Sequence, residues 1–263
     1  MNTISLEKKQ RIVVVMPALN EAATIGDVIR HIPRDFDRHR QVKILVVDDG
    51  STDNTSEIAR DAGADYVLKH PANMGVAAAI KNGMQVALSM GADAICTIDS
   101  DGQFNPIQIP LIVQPIFDDN VDMVIGSRFH GGNSLGGMSF IRLLGNIIVA
   151  KMMSKIIGFE ITDAESGFRA LSRRAALNLD LVGYFTFTHD MILDIWFRGL
   201  KFIEIPVMVQ YFPNRKSRAV GNITKYSLGI LSLLGMKFVR ILVAMFLGHD
   251  IRRLGTRFGI YSD

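Results

Sequence analysis

The stretch Ala94-Ile95-Cys96-Thr97-Ile98-Asp99-Ser100-Asp101 is a short apolar run that ends in two carboxylates. A run of this length bounded by polar turn residues reads as a buried strand. Carboxylates at i and i+2 where a strand runs out can converge on one hard cation. Mg²⁺ and Mn²⁺ take oxygen ligands, and Mg²⁺ commonly uses one or two carboxylates together with phosphate oxygens and water. A solvated turn would also account for such a triplet. The surroundings favour the site, because the N-terminal half repeats one design of strand, acidic or Gly-rich loop, then helix.

On the N-terminal side, Arg11 to Met16 reads as a buried strand closed by Pro17. A helix is expected over Ala22 to His31, with Glu21 near its positive end. Val42 to Val47 is a second strand, followed by Asp48-Asp49-Gly50-Ser51 and a helix to about Ala62. Ala64 to Leu68 is a third. Asn73-Met74-Gly75 opens an Ala-rich helix that ends near Met90. This alternation predicts an α/β fold with a parallel sheet covered on both faces. Ligands of such sheets bind at the carboxyl ends of the strands, so these loops should meet in one crevice.

Beyond Asp101 the pattern loosens. A helix to about Phe117 and a strand over Val121 to Ile125 lead to Gly126-Ser127-Arg128 and a Gly-rich stretch. Phe140 to Ile157, Leu177 to Leu181 and Met191 to Arg198 read as helical, and Phe202 to Tyr211 as a strand broken by Pro206.

The 263 residues suit one large domain or one domain with an appendage. Hydrophobic residues make up 48% and charged residues 21%, which supports a sizeable core. A net charge of +3 argues against nucleic acid as a partner. From Arg215 onward nine Lys/Arg face two Asp, a basic and apolar end that suits an anionic membrane surface. The one cysteine, Cys96, fits a reducing compartment, and the polar N-terminus is unlike a signal peptide. The expected location is the cytoplasmic face of the cell membrane, with the chain peripheral or monotopic.

Several residues can be read chemically where they stand. Asp48 or Asp49 could accept from a base or ribose, as acidic residues after a βα strand do elsewhere; capping the next helix is the alternative. Asn73 and Gly75 precede a helix N-terminus, a natural anion or base site. Arg128 ends a strand in the crevice and carries a fork able to grip a phosphate bidentately.

Val15-Met16-Pro17-Ala18-Leu19-Asn20-Glu21, Val46-Val47-Asp48-Asp49-Gly50-Ser51, Asp99-Ser100-Asp101-Gly102-Gln103 and Gly126-Ser127-Arg128 stand in the order seen in family 2 glycosyltransferases. With Ser166-Gly167-Phe168-Arg169, residues 11 to 220 resemble the dolichol-phosphate mannose synthase and polyprenyl-phosphate glycosyltransferase branch. The resemblance implies a GT-A nucleotide-sugar-binding fold, a nucleotide-diphosphate-sugar donor such as GDP-mannose or UDP-glucose, a divalent metal and a lipid-phosphate acceptor. It implies that Pro17, Asn20, Glu21, Asp48 and Asp49 meet the nucleotide. Asp99, Asp101 and Gln103 match the metal and diphosphate loop. Arg128 and Arg142 fall near the acceptor phosphate, with Asn146 where the family has a Ser. Asp163, Glu165, Ser166 and Arg169 match a wall of the sugar and acceptor site. Asp190 falls where many family members keep a base, and His189 beside it reads as structural. Arg215 and Arg218 resemble the basic loop that closes over the diphosphate, with Ser217-Arg218 in place of the usual Ser-Lys pair. Asp101, Arg128, Asp190 and Arg215 are thus the expected catalytic residues.

Taken as a helix, Phe140 to Gly158 sets Arg142 and Asn146 about 40° apart and Lys151 and Lys155 on roughly the opposite side, at ~100° per residue. One stripe could face the site and the other lipid headgroups; a core helix with four solvated polar residues is the alternative. Tyr226 to Gly248 is long enough to span a membrane, but Lys237 and Arg240 near its middle each cost roughly 2.5–3.5 kcal/mol. An apolar interfacial helix, or one packed on a membrane-anchoring subunit or a second copy of the chain, fits better. The expected organisation is a GT-A domain over 1–222 and a membrane-associating segment over 223–263.

The expected reaction is an inverting, metal-dependent transfer of a hexose from a GDP- or UDP-sugar to polyprenyl or dolichyl phosphate. Transfer to a hydroxyl of a soluble acceptor with Asp190 as base, and a non-catalytic nucleotide-sugar-binding subunit, are the alternatives.

Overall fold

The computed structural model describes residues 9–35, 37–130, 140–181, 187–211 and 235, with the side chains of residues 140–142 outside the description. Expectations for Arg215, Arg218 and the 223–263 segment fall outside it, as does the side chain of Arg142.

Seven strands form one sheet: β1 (Gln10–Ala18), β2 (Arg40–Asp48), β3 (Tyr66–Lys69), β4 (Ala94–Thr97), β5 (Met123–Ser127), β6 (Arg169–Ser172) and β7 (Phe202–Pro206), in the order β3-β2-β1-β4-β6-β5-β7. The run Ile12 to Val15 is β-branched throughout and fully buried, as a strand covered on both faces must be. Val13 and Val15 enter one core, and Ile12, Val14 and Met16 the other. The helices α1 (Ile25–Arg30), α2 (Thr55–Asp61) and α4 (Ile109–Asp118) cover the second core. The first is covered by α3 (Val76–Ser89), α6 (Arg173–Asn178), α7 (Phe187–Phe197) and the inward side of α5 (Phe140–Ile157).

The parallel register places Ala18 beside Asp48, Asp48 beside Lys69, and Val15 beside Thr97. The loops after β1, β2, β3 and β4 therefore leave the sheet at one edge. Strand β6, which the sequence reading did not foresee, runs antiparallel between β4 and β5, with Ala170 opposite both Cys96 and Val124. A reversed strand begins where its neighbours end, so the segment before it, Asp163 to Phe168, is delivered to the same edge. Elsewhere the differences are local. Helix α6 starts at Arg173, where Ser172 Oγ accepts from the Ala175 N–H at 3.0 Å as an N-cap, so the helix lies earlier than Leu177–Leu181. β7 ends at Pro206, whose missing N–H suits an edge strand.

Helix α5 turns Asn146, Ala150, Met153 and Ile157 inward. Leu144, Ile148, Lys151 and Lys155 line its outer side, with Ile147 and Ile156 flanking them and all six exposed. Among the described residues no helix is long and apolar enough to cross a membrane.

Candidate active site

The loops after β1 and β2 are stitched into one unit. Asn20 adopts a left-handed backbone (φ 50°), which Asn tolerates better than most residues. Its Oδ1 accepts from the Thr52 N–H at 2.8 Å, and its own N–H donates to Ser51 Oγ at 2.8 Å. The Glu21 N–H donates to Thr55 Oγ1 at 2.8 Å. The metal-loop candidate joins the same unit. Thr24 Oγ1 lies 3.0 Å from both Glu21 Oε2 and the Ser100 carbonyl, and Ser100 Oγ donates to the Pro17 carbonyl at 2.8 Å.

Asp48 is wholly buried. It accepts from the Ser51 N–H at 2.7 Å and from the Ser56 hydroxyl, with Lys69 Nζ 3.8 Å away. Burial alone would raise its pKa; the Ser51 and Ser56 bonds and the Lys69 charge outweigh that and hold it below the usual carboxylate value. Asp49 accepts from the Met74 and Gly75 N–H groups at 2.9 and 2.8 Å, and its Oδ1 lies 2.7 Å from His70 Nδ1. Asn82 Nδ2 lies 3.0 Å from His70 Nε2, so with Asn82 donating, the His70 proton sits on Nδ1 and points at Asp49. Both carboxylates thus organise the loops around the crevice. Gly50 lets these loops touch: its φ is +80°, and a Cβ there would lie 2.5 Å from the Ala72 carbonyl carbon. Asn73 Oδ1 accepts from the Gly75 N–H at 3.0 Å.

Asp99 and Asp101 follow β4 and are half-buried. Asp101 Oδ1 accepts from the Gln103 N–H at 3.0 Å. Gly167 backs Asp99 so closely that a Cβ on it would lie 3.1 Å from either carboxylate oxygen. Thr97 Oγ1 fastens this wall by donating to the Gly167 carbonyl at 2.7 Å. Among the described residues no group of three or more His, Cys, Asp or Glu could enclose a metal ion. Two carboxylates on an open loop, backed by a glycine that leaves room for them, fit a Mg²⁺-like ion completed by diphosphate oxygens and water.

Arg128 follows β5 and is 7% exposed. Asp163 takes its fork, with Nε to Oδ2 at 2.7 Å and Nη2 to Oδ1 at 2.8 Å, and also accepts from the Arg128 N–H at 3.0 Å. The guanidinium's tendency to lose its proton on burial is more than reversed by Asp163, so its pKa is raised. The edge of the fork formed by Nε and Nη2 is thus held by a protein carboxylate. Asn146 is buried, with its amide nitrogen turned to the Glu165 carboxylate.

Arg169 and Ser166 are interior rather than site-lining. Arg169 is fully buried and donates to the carbonyls of Ser166 (2.8 Å), Thr188 (2.6 Å) and Ala164 (2.9 Å). Burial separates a cation from water, and the carbonyls replace that water. Ser166 is also fully buried, and its N–H donates to Asp163 Oδ1 at 3.1 Å. His189 and Asp190 lie wholly buried in the first turns of α7. Burial, helped by the Arg169 charge, pushes the His189 pKa down to about 3, so the imidazole is neutral and structural.

Sequence reading passed over His70, Thr162 and Glu204. Glu204 alone carried a signal, a carboxylate within the apolar Phe-Ile-Glu-Ile-Pro strand.

Carboxylates on crevice loops of a mostly parallel sheet, with a buried Arg two strands away, frame the candidate site, and the chain belongs to glycosyl transferase family 2, whose model matches residues 13–179. It is a glycosyltransferase of the kind its motifs resemble. A protein of Methanocaldococcus jannaschii is 34% identical over 84% of this chain and 90% of its own. The UDP-N-acetylglucosamine–dolichyl-phosphate N-acetylglucosaminyltransferase of Methanococcus voltae is 31% identical over 62% of this chain and 70% of its own. Among solved structures, glucosyl-3-phosphoglycerate synthase from Mycobacterium tuberculosis, crystallised with Mn²⁺ and UDP-glucose, superimposes with a TM-score of 0.65 at 24% identity, covering 86% of this chain and 78% of that one. That likeness establishes the GT-A fold.

Proposed function

We propose that the protein transfers a hexose, with inversion, from a GDP- or UDP-sugar to a polyprenyl or dolichyl phosphate at the cytoplasmic membrane surface. Arg128 carries the reading. It is a buried cation at the crevice edge, clamped by Asp163 yet keeping one guanidinium edge for an anion. Two inter-strand spacings, about 10 Å, separate the end of its strand from that of Asp99.

The chemistry needs few groups. A phosphate monoester is largely dianionic near neutrality, since its second pKa is about 6, so it attacks without a strong base. The wholly buried Asp190 suits an acceptor of this kind. Asp99 and Asp101 would hold Mg²⁺ or Mn²⁺, which supplies charge neutralisation to the leaving diphosphate. Arg128 orients the nucleophile through Nη1, with Arg142 expected beside it, so positioning and electrostatics carry the rate. Arg215 and Arg218 would close over the diphosphate. The outer side of α5, Leu144 and Ile148 in line with Lys151 and Lys155, suits a helix lying in the headgroup region. The basic 223–263 segment would add to that attachment.

The test is transfer by purified protein in detergent, with a panel of labelled nucleotide sugars including UDP-glucose, GDP-mannose and UDP-N-acetylglucosamine. Mg²⁺, Mn²⁺ or chelator and polyprenyl phosphate are varied. A metal-dependent, acid-labile, organic-soluble product from one donor is expected. Transfer confined to water-soluble acceptors, or donor hydrolysis alone, would overturn the reading.

A further inference from the structure

Glu204 sits on the edge strand β7, paired with Ile125 of β5 and two residues before Pro206. Its oxygens take three donors. Oε2 accepts from the Thr162 N–H at 2.8 Å and from the Thr162 hydroxyl, and Oε1 accepts from the Asp163 N–H at 3.0 Å. Asp163 is the residue whose carboxylate holds the Arg128 fork.

A second route leads to the same arginine. Thr162 Oγ1 lies 2.6 Å from Ser127 Oγ. A hydroxyl has one proton to give. Thr162 gives its own to Glu204, so Ser127 must donate to Thr162. The Ser127 oxygen then accepts from the N–H groups of Phe129 and His130 at 3.2 and 3.0 Å. Glu204 thereby fixes Arg128 from both sides, through the Asp163 carboxylate on its guanidinium and through Ser127 on the backbone that follows it.

We infer that Glu204 is a positioning residue that sets the direction of the Arg128 guanidinium and so builds the lipid-phosphate subsite. The inference rests on the proposed role of Arg128. Every partner of Glu204 is a donor, so in Glu204→Gln one orientation or the other turns an NH₂ group onto an N–H. The fold keeps its strand pairing, but the carboxylate that aims Arg128 is loosened.

The test is equilibrium binding of dolichyl phosphate in detergent micelles, and of UDP and GDP with Mn²⁺, to the full chain and its variants, with circular dichroism as the folding control. Loosening an outer partner of a ligand-holding side chain weakens binding on the order of tenfold. We expect Glu204→Gln to weaken dolichyl phosphate about tenfold and to leave nucleotide binding unchanged. In an Arg128→Lys background, where no fork remains to be aimed, the same substitution should add nothing. Thr162→Val removes only the hydroxyl route and should weaken lipid binding by a smaller factor, which keeps the test open if Glu204→Gln does not fold. Parallel losses of lipid and nucleotide binding, full additivity with Arg128→Lys, or unchanged lipid binding in both variants would overturn the inference. If Arg128→Lys alone leaves dolichyl phosphate binding intact, the proposed role of Arg128 itself is wrong, a separate result.

Discussion

Gly167 and the Asp99 carboxylate are in such close approach that the missing Cβ is part of the geometry of the loop after β4: built in, it would stand 3.1 Å from each Asp99 oxygen. The wall cannot retreat freely, because Thr97 Oγ1 holds the Gly167 carbonyl and β6 begins two residues later. The carboxylate is the part that must move. Gly167→Ala should therefore weaken the apparent affinity for Mn²⁺ or Mg²⁺ and lower kcat about tenfold, since small misplacements at a reacting centre are costly. Metal titration of activity, with thermal melting as the control, checks this. An unchanged metal dependence would show that Asp99 does not use this orientation.

Gly50 makes a different demand. Its φ of +80° is in the region that L side chains avoid, and a Cβ would meet the Ala72–Asn73 backbone, which cannot step aside as a side chain can. Gly50→Ala should cost about 1–3 kcal/mol of stability. Because Asp49 bridges the same two loops, the KM for the nucleotide sugar should rise as well. Urea denaturation and donor kinetics measure the two effects. A stable variant with an unaltered donor KM would mean that the loops are not held as a unit.

How far the sequence disclosed all this follows from the range of the interactions. The strands β1, β2 and β4 and the loops behind them were legible, because β-branched runs closed by acidic or Gly-rich turns are local signals. Strand β6 was not, since four residues beginning with an arginine carry no periodicity of their own and β6 is defined by its neighbours. The site divides in the same way. Asp99, Asp101 and Arg128 stand out as candidates by type and place. That Asp163 would occupy the Arg128 fork, and that Arg169 would point inward at three carbonyls, depends on where β6 and α7 bring the chain. An arginine in a motif looks the same in sequence whether it faces a ligand or the protein interior.

Arg169 illustrates the stability side of that division. Removing it takes a buried donor from the Ser166, Thr188 and Ala164 carbonyls, of which Thr188, in the first turn of α7, keeps its helical partner. Each stranded group costs about 1–3 kcal/mol, and partial repair by water or relaxation brings the expected loss for Arg169→Met to about 3 kcal/mol. The melting temperature should fall by roughly 6–12 °C. Nucleotide binding to the fraction that remains folded should be retained. A variant as stable as wild type but deficient in donor binding would return Arg169 to the sugar site.

His189 makes the fold sensitive to acid. Its folded-state pKa is about 3, against an ordinary value of 6.5. Above pH 6.5 the imidazole is neutral in both states and the difference has no consequence. As the pH falls below 6.5 the unfolded chain takes up a proton that the folded chain refuses, so stability is lost progressively until the folded imidazole titrates near 3. The slope from this group approaches ~1.4 kcal/mol per pH unit. Asp48, Asp53 and Asp65, whose folded pKa values are lowered, act in a lower window, contributing stability above the ordinary value of 3.8 and losing it beneath that. At pH 4.5 those three carboxylates are still mostly ionised in both states. His189→Gln, which cannot titrate, should be less stable than wild type at pH 8 because a buried ring is lost. The gap should close by roughly 3 kcal/mol at pH 4.5. Urea denaturation at the two pH values measures it. A gap that stays constant would mean that His189 carries its proton inside the fold or is reached by solvent.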